Sequence, residues 1–319
     1  MTEQLLELLI TDRTDQADGV VVLDLVSPTG ETLPSFQAGA HVDVHVGSDL
    51  VRQYSLCGDP AETGRYRLGI LLDPKSRGGS ARIHKDFRVG EWVRIGAPRN
   101  HFPLQDRADH SVLIGGGIGI TPILSMAYQL ASAGRSFELH YCARNKSKAA
   151  FLSELEQAPF RDRIRWHFSD ESGGRRIDIS QDVSPPKAGV HLYVCGPSAF
   201  MDSVIAQAQQ RGYANDVIHK EYFNAELDLS GGTFDVVLAQ SNKTVTVSAG
   251  VTIVKALSDA GIKVQVSCEN GICGTCLQIV IDGVPDHRDS YLTDDEKAAN
   301  DQMLVCCSRS KTPQLVLDL

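Results

Sequence analysis

The sequence predicts a multidomain protein: a small antiparallel β-barrel, an α/β domain with a parallel sheet, and a C-terminal β domain around one short helix. Three observations carry this. At 319 residues the chain is long for a single core. Its first hundred residues alternate as strands do, and after His110 the rhythm changes to strands followed by amphipathic helices. A polar, glycine-rich stretch, NAELDLSGGT at 224–233, reads as a linker before the last part of the chain. The expected domains are 1–103, 104–224 and 234–319.

In the first domain HVDVHV, RQYSL, RYRLGILL and WVRIGAP are short β-like runs between Gly, Pro and Asp turns, with few helical signals. In the second, SVLIGGG, FELHYCAR, RIRWHFSD and VHLYVCGP read as strands. Helical stretches follow three of them, near 122–133, 148–157 and 198–211, and that order implies a parallel sheet with helices on its faces. For the first helix, Thr121 is the expected N-cap and Pro122 the first helical residue. Ile123, Met126, Ala127, Leu130 and Ala131 then share one face, and Gly134 ends the helix. Ser198 and Gly212 bracket the third helix in the same way. In the C-terminal domain FDVVLA, TVTVS, LQIVID and LVLDL are strands around a helix near 253–260.

Composition excludes several functions. A net charge of −9 offers no basic face for nucleic acid. The opening MTEQLLELLI lacks a basic region and is interrupted by Glu7, and no stretch approaches the roughly 18 apolar residues of a membrane span. The expectation is a cytoplasmic protein, in which clustered cysteines signal metal or redox chemistry before disulfides.

Three of the eight cysteines fall within CENGICGTC. Cys268, Cys273 and Cys276 fit C-x4-C-x2-C, and Cys306 follows, the plant-type spacing for a [2Fe–2S] cluster. Two sulfide-bridged irons need four converging thiolates, and Gly271 and Gly274 let the loop wrap closely. Structural zinc is the rival, but zinc sites more often pair one C-x2-C with another. Of the adjacent Cys306 and Cys307 only one can complete the set. Spacing favours Cys306 and leaves Cys307 to the core.

GGGIGITP, 115–122, follows a strand and opens a helix, where backbone amides attract a pyrophosphate. It departs from G-x-G-x-x-G at Ile120, and close helix–strand packing would explain it equally. Arg52–Gln53–Tyr54–Ser55 joins a cation, an aromatic ring and a hydroxyl, and SRGGSA at 76–81 is an amide nest suited to phosphate. Cys195–Gly196–Pro197 closes a strand at the carboxyl edge of the sheet, where ligands bind in such folds.

In this order, RQYS, GGGIGITP, CGP and the cysteine loop resemble the ferredoxin-NADP reductase superfamily. With the cysteine loop C-terminal, the chain resembles the phthalate dioxygenase reductase family, which includes the reductases of vanillate O-demethylases. SRGGS, DHRD (286–289), CCSR (306–309) and LVLDL extend the resemblance over the whole chain. It implies an FMN-binding barrel, an NAD-binding α/β domain and a β-grasp ferredoxin domain. Arg52, Gln53, Tyr54 and Ser55 would line the FMN, with Ser55 near flavin N5. Leu71 and Leu72 would lie beside the ring, and Gly78, Gly79, Ser80 and Ala81 would hold the phosphate. Thr121 and Phe223 would reach the flavin from the second domain. Gly115, Gly116, Gly117, Ile118, Gly119 and Ile120 would hold the nicotinamide dinucleotide, with Cys195, Gly196 and Pro197 near the nicotinamide. Ser55 and Cys195 are the expected catalytic pair.

Asp170 after the third strand suits the free ribose hydroxyl of NADH, while Arg144 and Lys146 lean towards NADPH; NADH is expected. His41, Asp43 and His45 have the residue types of a non-haem iron site. Positions i and i+4 of a strand are about 13 Å apart, too far for one ion, so they read as a polar barrel face with the valines inside. The other histidines show no metal-ligand spacing. Oxygen activation would then belong to another protein. The expected function is a monomeric reductase component passing electrons from NADH through FMN and [2Fe–2S] to a separate Rieske-type oxygenase acting on an aromatic acid or ether. Alternatives are a general reductase for another acceptor, such as a cytochrome P450, and a zinc-stabilised binding module, which would be colourless. Between Phe234 and Leu319, 7 Lys and Arg against 11 Asp and Glu leave −4, either an acidic docking rim or a solvated face. Asp286–His287–Arg288–Asp289 reads as part of that surface or as a local ion-pair turn.

Overall fold

The computed structural model describes residues 5–47, 50–74, 78–171, 173–223 and 227–319. The chain forms two compact units, Met1–Phe223 and Asn224–Leu319. In the first, strands β1 (Leu5–Ala17), β2 (Val20–Val26), β3 (Ala40–His45), β4 (Val51–Ser55), β5 (Arg65–Leu71), β6 (Trp92–Gly96) and β7 (Arg99–Asn100) make one antiparallel sheet. Its order is β4-β3-β6-β1-β2-β5, and a bridge from Leu56 to Leu68 brings the two ends together. Alternation explains the closure: Val42, Val44 and Val46 are fully buried, as are Ile10, Leu25, Ile70 and Ile95. One element was not expected from this β-rich stretch, helix α1 (Gly79–Asp86), which opens at the left-handed Gly78.

The parallel sheet follows with β8 (His110–Gly116), β9 (Ser136–Ala143), β10 (Ile164–Phe168), β11 (Val190–Cys195) and β12 (Ile218–Glu221), in the order β10-β9-β8-β11-β12. Helices α2 (Ile120–Ser132), α3 (Leu152–Gln157), α4 (Ile179–Asp182) and α5 (Ser198–Gln210) accompany it. The order reverses between β8 and β11, so their carboxyl ends flank a crevice where ligands bind in open α/β sheets. Thr121 is not the cap of α2. A 3-10 turn, Gly117–Gly119, precedes the helix, Gly119 is the N-cap, and the Thr121 hydroxyl donates to the Ile118 carbonyl at 3.0 Å inside the first turn. Gly134 (φ 64°) and Gly212 (φ 99°) follow α2 and α5 in the left-handed region, as the helix-stop reading requires.

In the second unit β13 (Phe234–Leu238) pairs with β14 (Lys243–Val247), and helix α6 (Ile253–Asp259) is capped by the Thr252 side chain. The remaining elements are β15 (Leu277–Asp282), β16 (Pro285–Asp286), α7 (Asp294–Ala299), β17 (Gln302–Leu304), β18 (Arg309–Ser310) and β19 (Gln314–Leu317). Sheet order β14-β13-β19-β15-β17, with β13 and β19 parallel, is the β-grasp arrangement. Helix α7 adds to the single helix expected. Its capping box of Thr293 and Glu296 is visible in the sequence as TDDE.

Residues 224–226 of the expected linker lie outside the described residues, and the rest of it belongs to the second unit. Leu227 packs on that unit's core, Arg288 pairs with Asp228, and Arg309 donates to the Gly232 carbonyl at 2.8 Å. Arg309, only 2% exposed, also donates to the Val251 carbonyl at 2.6 Å and lies over the Phe234 ring. No carboxylate is among these partners; carbonyl oxygens satisfy the buried guanidinium, and removing it strands them. Arg309→Met is therefore expected to destabilise this unit by about 2–4 kcal/mol, measured as faster hydrogen exchange of the β13 and β19 amides.

Candidate functional site

On the barrel, β4 carries the RQYS residues. Gln53 donates to Asp43 at 3.0 Å, and Arg99 donates to the other Asp43 oxygen at 2.7 Å. His41 and Asp43 are thus buried, not solvated, and the barrel face they share with Gln53 is a packed polar cluster. Burial, with Arg99 and His101 adding, lowers the His41 pKa to about 4, so it is neutral at pH 7. Both Asp43 oxygens are engaged within this cluster, by Gln53 and by Arg99. Two histidine pairs that the sequence did not suggest do touch across neighbouring strands: His140 with His167, and His191 with His219.

Arg52 lies against α1. A Cβ added to Gly79 would fall 2.7 Å from its Cγ, so only glycine lets the arginine side chain cross the start of the helix. Gly78, Gly79, Ser80 and Ala81 form that start, the first turn carries no acidic side chain, and the Ser80 hydroxyl accepts from the Asp73 amide at 3.2 Å. First-turn amides, the helix dipole and the Arg52 guanidinium are groups that suit a monophosphate. Ser76 and Arg77 lie outside the described residues. Tyr54 packs against the barrel core, while Leu71 and Leu72, 38% and 41% exposed, leave apolar surface uncovered at the end of β5.

The glycine loop and the CGP turn meet at the crevice. A Cβ on Gly119 would fall 2.4 Å from the Cys195 carbonyl oxygen, and one on Gly116 2.6 Å from the Phe200 ring. Gly115 to Ile120 therefore run along Cys195, Gly196 and Pro197 with no space for side chains at Gly116 or Gly119. Phe223 packs against the neighbouring core. Cys195 is fully buried, and burial, then Glu221, raise its thiol well above the usual range.

Ser55 joins this group through a residue that the sequence left unmarked. Glu221 pairs with Cys195 across β11 and β12, and the Ser55 hydroxyl donates to its carboxylate at 3.4 Å. Dense packing raises the Glu221 carboxyl to about 8 even though part of its surface stays open. A lone glutamate in HKEYF has no spacing that marks it. Only the sheet register brings it to Cys195 and Ser55.

Asp170 is exposed, its amide bound to the Arg144 carbonyl at 2.8 Å and its carboxylate accepting from Ser169. Its neighbour Glu171, with Lys146, Phe168 and Arg175, lines a cavity of about 770 Å³ beside β10, apart from Ser55 and Cys195.

In the second unit the cysteines are buried in two pairs. The Cys268 thiol donates to Cys273, holding Cys273 below and Cys268 above the usual range. Cys276 bonds in the same way to Cys306, which raises it. Backbone amides point at the sulfurs: Asn270 and Ile272 at Cys268, Thr275 at Cys273, and Gly271 at Cys306. This donor set fits a two-iron cluster, which takes two thiolates on each iron and is stabilised by N–H···S bonds. Cys307 is buried beside the set, its thiol near Cys306 and 3.7 Å from the Leu304 carbonyl. Gly271 (φ 73°) leaves no space for a Cβ, which would meet the Cys307 sulfur at 2.6 Å. The DHRD stretch closes the loop from behind as an ion-pair turn. Arg288 pairs with Asp286, the buried Asp289 accepts from the Leu292 amide at 2.8 Å, and the Ser290 amide donates to the Gly271 carbonyl at 3.0 Å.

A hydride-handling crevice and a one-electron centre share one chain, and that is the arrangement of an electron-transfer reductase. Comparison with known proteins agrees. A model of the 2Fe-2S iron-sulfur cluster binding domain matches residues 236–311, and one of the oxidoreductase NAD-binding domain matches 113–205. The chain is 46% identical over 317 residues to the vanillate O-demethylase oxidoreductase of Pseudomonas sp. (strain HR199 / DSM 7063), covering 99% of this chain and 100% of that one. Phthalate dioxygenase reductase superposes with a TM-score of 0.77 at 38% identity, covering 99% and 98%. An intact type IV self-sufficient cytochrome P450 monooxygenase superposes with a TM-score of 0.83 at 39% identity, over 99% of this chain but 41% of that longer one. The protein belongs to the phthalate dioxygenase reductase family.

It is accordingly an oxidoreductase that takes electrons from NADH through a flavin to a [2Fe–2S] centre. A bound FMN would take one hydride from NADH and release its two electrons one at a time, which the one-electron cluster requires. The chain's own part is geometric. The crevice between β8 and β11 brings backbone amides, the neutral Cys195 thiol and the Ser55–Glu221 pair together, with Ser55 and Cys195 buried.

Glu221 carries a pH signature. Its folded pKa of about 8 lies above the ordinary carboxyl value of 4.5, so the folded state holds a proton that the unfolded state has lost between those values. Stability therefore falls with rising pH in that window, by up to about 1.4 kcal/mol per pH unit. Glu221→Gln is expected to flatten that slope, read as thermal melting between pH 5 and 8 against wild type.

Proposed function

We propose that this protein is the reductase component of a two-component oxygenase, delivering electrons one at a time from NADH to a separate Rieske-type aromatic oxygenase or O-demethylase. The observation that carries this reading is end-to-end similarity to a vanillate O-demethylase oxidoreductase, combined with paired thiols in the C-terminal unit. In this reading Arg52 and Gly78 to Ala81 hold the FMN phosphate. Gln53, Tyr54, Leu71, Leu72, Thr121 and Phe223 border the ring, and Ser55 faces N5. Gly115 to Ile120 hold the pyrophosphate of NADH, with Cys195, Gly196 and Pro197 at the nicotinamide and Asp170 at the ribose. Cys268 and Cys273 bind one iron, and Cys276 and Cys306 the other. The domains are 1–103, 104–224 and 234–319, and the protein works as a cytoplasmic monomer; no helix among the described residues is long and apolar enough to cross a membrane.

A P450 acceptor is the second reading, favoured by the similarity to the reductase-length part of a self-sufficient P450. The two separate by reconstitution: NADH-dependent oxygen consumption with a Rieske-type oxygenase supports the first, and coupling only to a P450 overturns it. The electron route has its own test. Cys276→Ala is expected to abolish cytochrome c reduction by NADH while sparing ferricyanide reduction, and Cys307→Ser to leave both in place. Equal loss of both activities in Cys276→Ala would count against the order flavin before cluster.

A further inference from the structure

Strand β5 is the seam on which α2 and α3 press. Gly69 has no side chain there: a Cβ would fall 2.8 Å from the Thr121 methyl and 3.1 Å from the Phe151 ring. Phe151 is fully buried and holds a left-handed backbone (φ 60°) just before α3, a conformation that a phenylalanine keeps only when its surroundings impose it.

Two residues before Gly69, on the same face of the strand, Arg67 donates to Glu154 at 2.7 Å and lies 3.3 Å from Asp24 on β2. The other Glu154 oxygen accepts the Tyr128 hydroxyl at 2.7 Å. One carboxylate on α3 therefore ties α2 to the barrel. A second clasp lies at the β1–β2 turn, where the Asp18 amide donates to the Ser147 carbonyl at 2.8 Å and the Ser147 hydroxyl to the Asp18 carboxylate at 2.7 Å.

This matters because α2 begins at the glycine loop. Gly119 rests on the Cys195–Gly196 peptide, and Thr121 rests on β5. Packed elements shift as units, so a movement of α2 on β5 would change the spacing between the Cys195 crevice and Ser55. Hydride transfer depends steeply on that spacing, and a displacement of about 1 Å can cost a factor of 10 to 100.

We propose that Glu154 and Arg67 are positioning residues for hydride transfer, setting the gap between the nucleotide crevice and the flavin-facing end of β4 without touching either ligand. The proposal rests on the NADH-to-flavin reaction. Wild-type protein that fails to oxidise NADH would remove that premise, whereas reactive wild type with unaffected variants would remove the brace alone.

The test is anaerobic single-turnover reduction of the FMN-loaded protein by NADH, with the long-wavelength charge-transfer absorbance of the nicotinamide–flavin pair as a second reading. Glu154→Ala is expected to slow reduction at saturating NADH about tenfold, to change half-saturation less than about threefold, and to weaken the charge-transfer band. Glu154→Gln, which keeps an acceptor for Tyr128 but sets an amide donor against Arg67, recovers only part of the rate. Tyr128→Phe, which removes a single hydroxyl, falls between them and serves if Glu154→Ala does not fold. Combining Arg67→Met with Glu154→Ala costs less than the sum of the two, because they share one contact while each also loses its own, to Asp24 or to Tyr128. The exposed pair Arg94–Glu7 is the control, and Arg94→Ala leaves the rate unchanged. Saturating rates and charge-transfer bands equal to wild type in folded Glu154→Gln and Tyr128→Phe, with or without a lower melting temperature in Glu154→Ala, would overturn the proposal.

Discussion

Ser55 ends a barrel strand and Glu221 ends the last strand of the parallel sheet, 166 residues later, and the hydrogen bond between them is where two separate cores become one site. Each core is built by its own rule. The barrel buries alternate residues of antiparallel strands, and the parallel sheet buries both faces under helices. Neither alone presents more than half of the chemistry. The barrel offers the glycine start of α1 beside Arg52 and a hydroxyl, and the sheet offers a crevice at its order reversal with Cys195 buried at the end of β11. Holding them in register lets one carboxyl, kept protonated by its packing at neutral pH, contact both the hydroxyl and the strand of the thiol.

The C-terminal unit solves a different problem. Three thiols must be presented on one short loop and met by a fourth, Cys306, from the segment after β17. Glycines at 271 and 274 let the chain turn with positive φ where a side chain would strike Cys307 or Tyr291. Backbone amides then point at sulfur, and the DHRD turn supports the loop from behind. Arg309 plays the matching structural part, drawing the strand ends and the segment after Leu227 together through carbonyl oxygens. The guanidinium is buried where backbone carbonyls can satisfy it.

Much of this was legible because the signals are local. Cysteine spacing, the strand–glycine–helix turn, and valines alternating with polar residues in HVDVHV depend on neighbours within a few positions. The misreadings have local causes too. Thr121 and Pro122 look like a cap and a first turn, yet the helix starts earlier because the preceding 3-10 turn already orients the chain. Helix α1 hides in a β-rich region because Gly78 and Gly79 read as a turn. From Leu227 to Thr233 the linker-like composition hides two arginine partners, Arg288 and Arg309, because they lie far along the chain.

The sequence by itself determined the three domain types, the thiol set and the glycine loops, since each rests on periodicity or spacing that a short window contains. Only the tertiary structure decided that Glu221 meets Ser55, that His140 touches His167, and that Glu154 ties α2 to β5. Those contacts join residues from different strands and helices. Their partners are chosen by sheet register and helix packing, which no single stretch of sequence encodes.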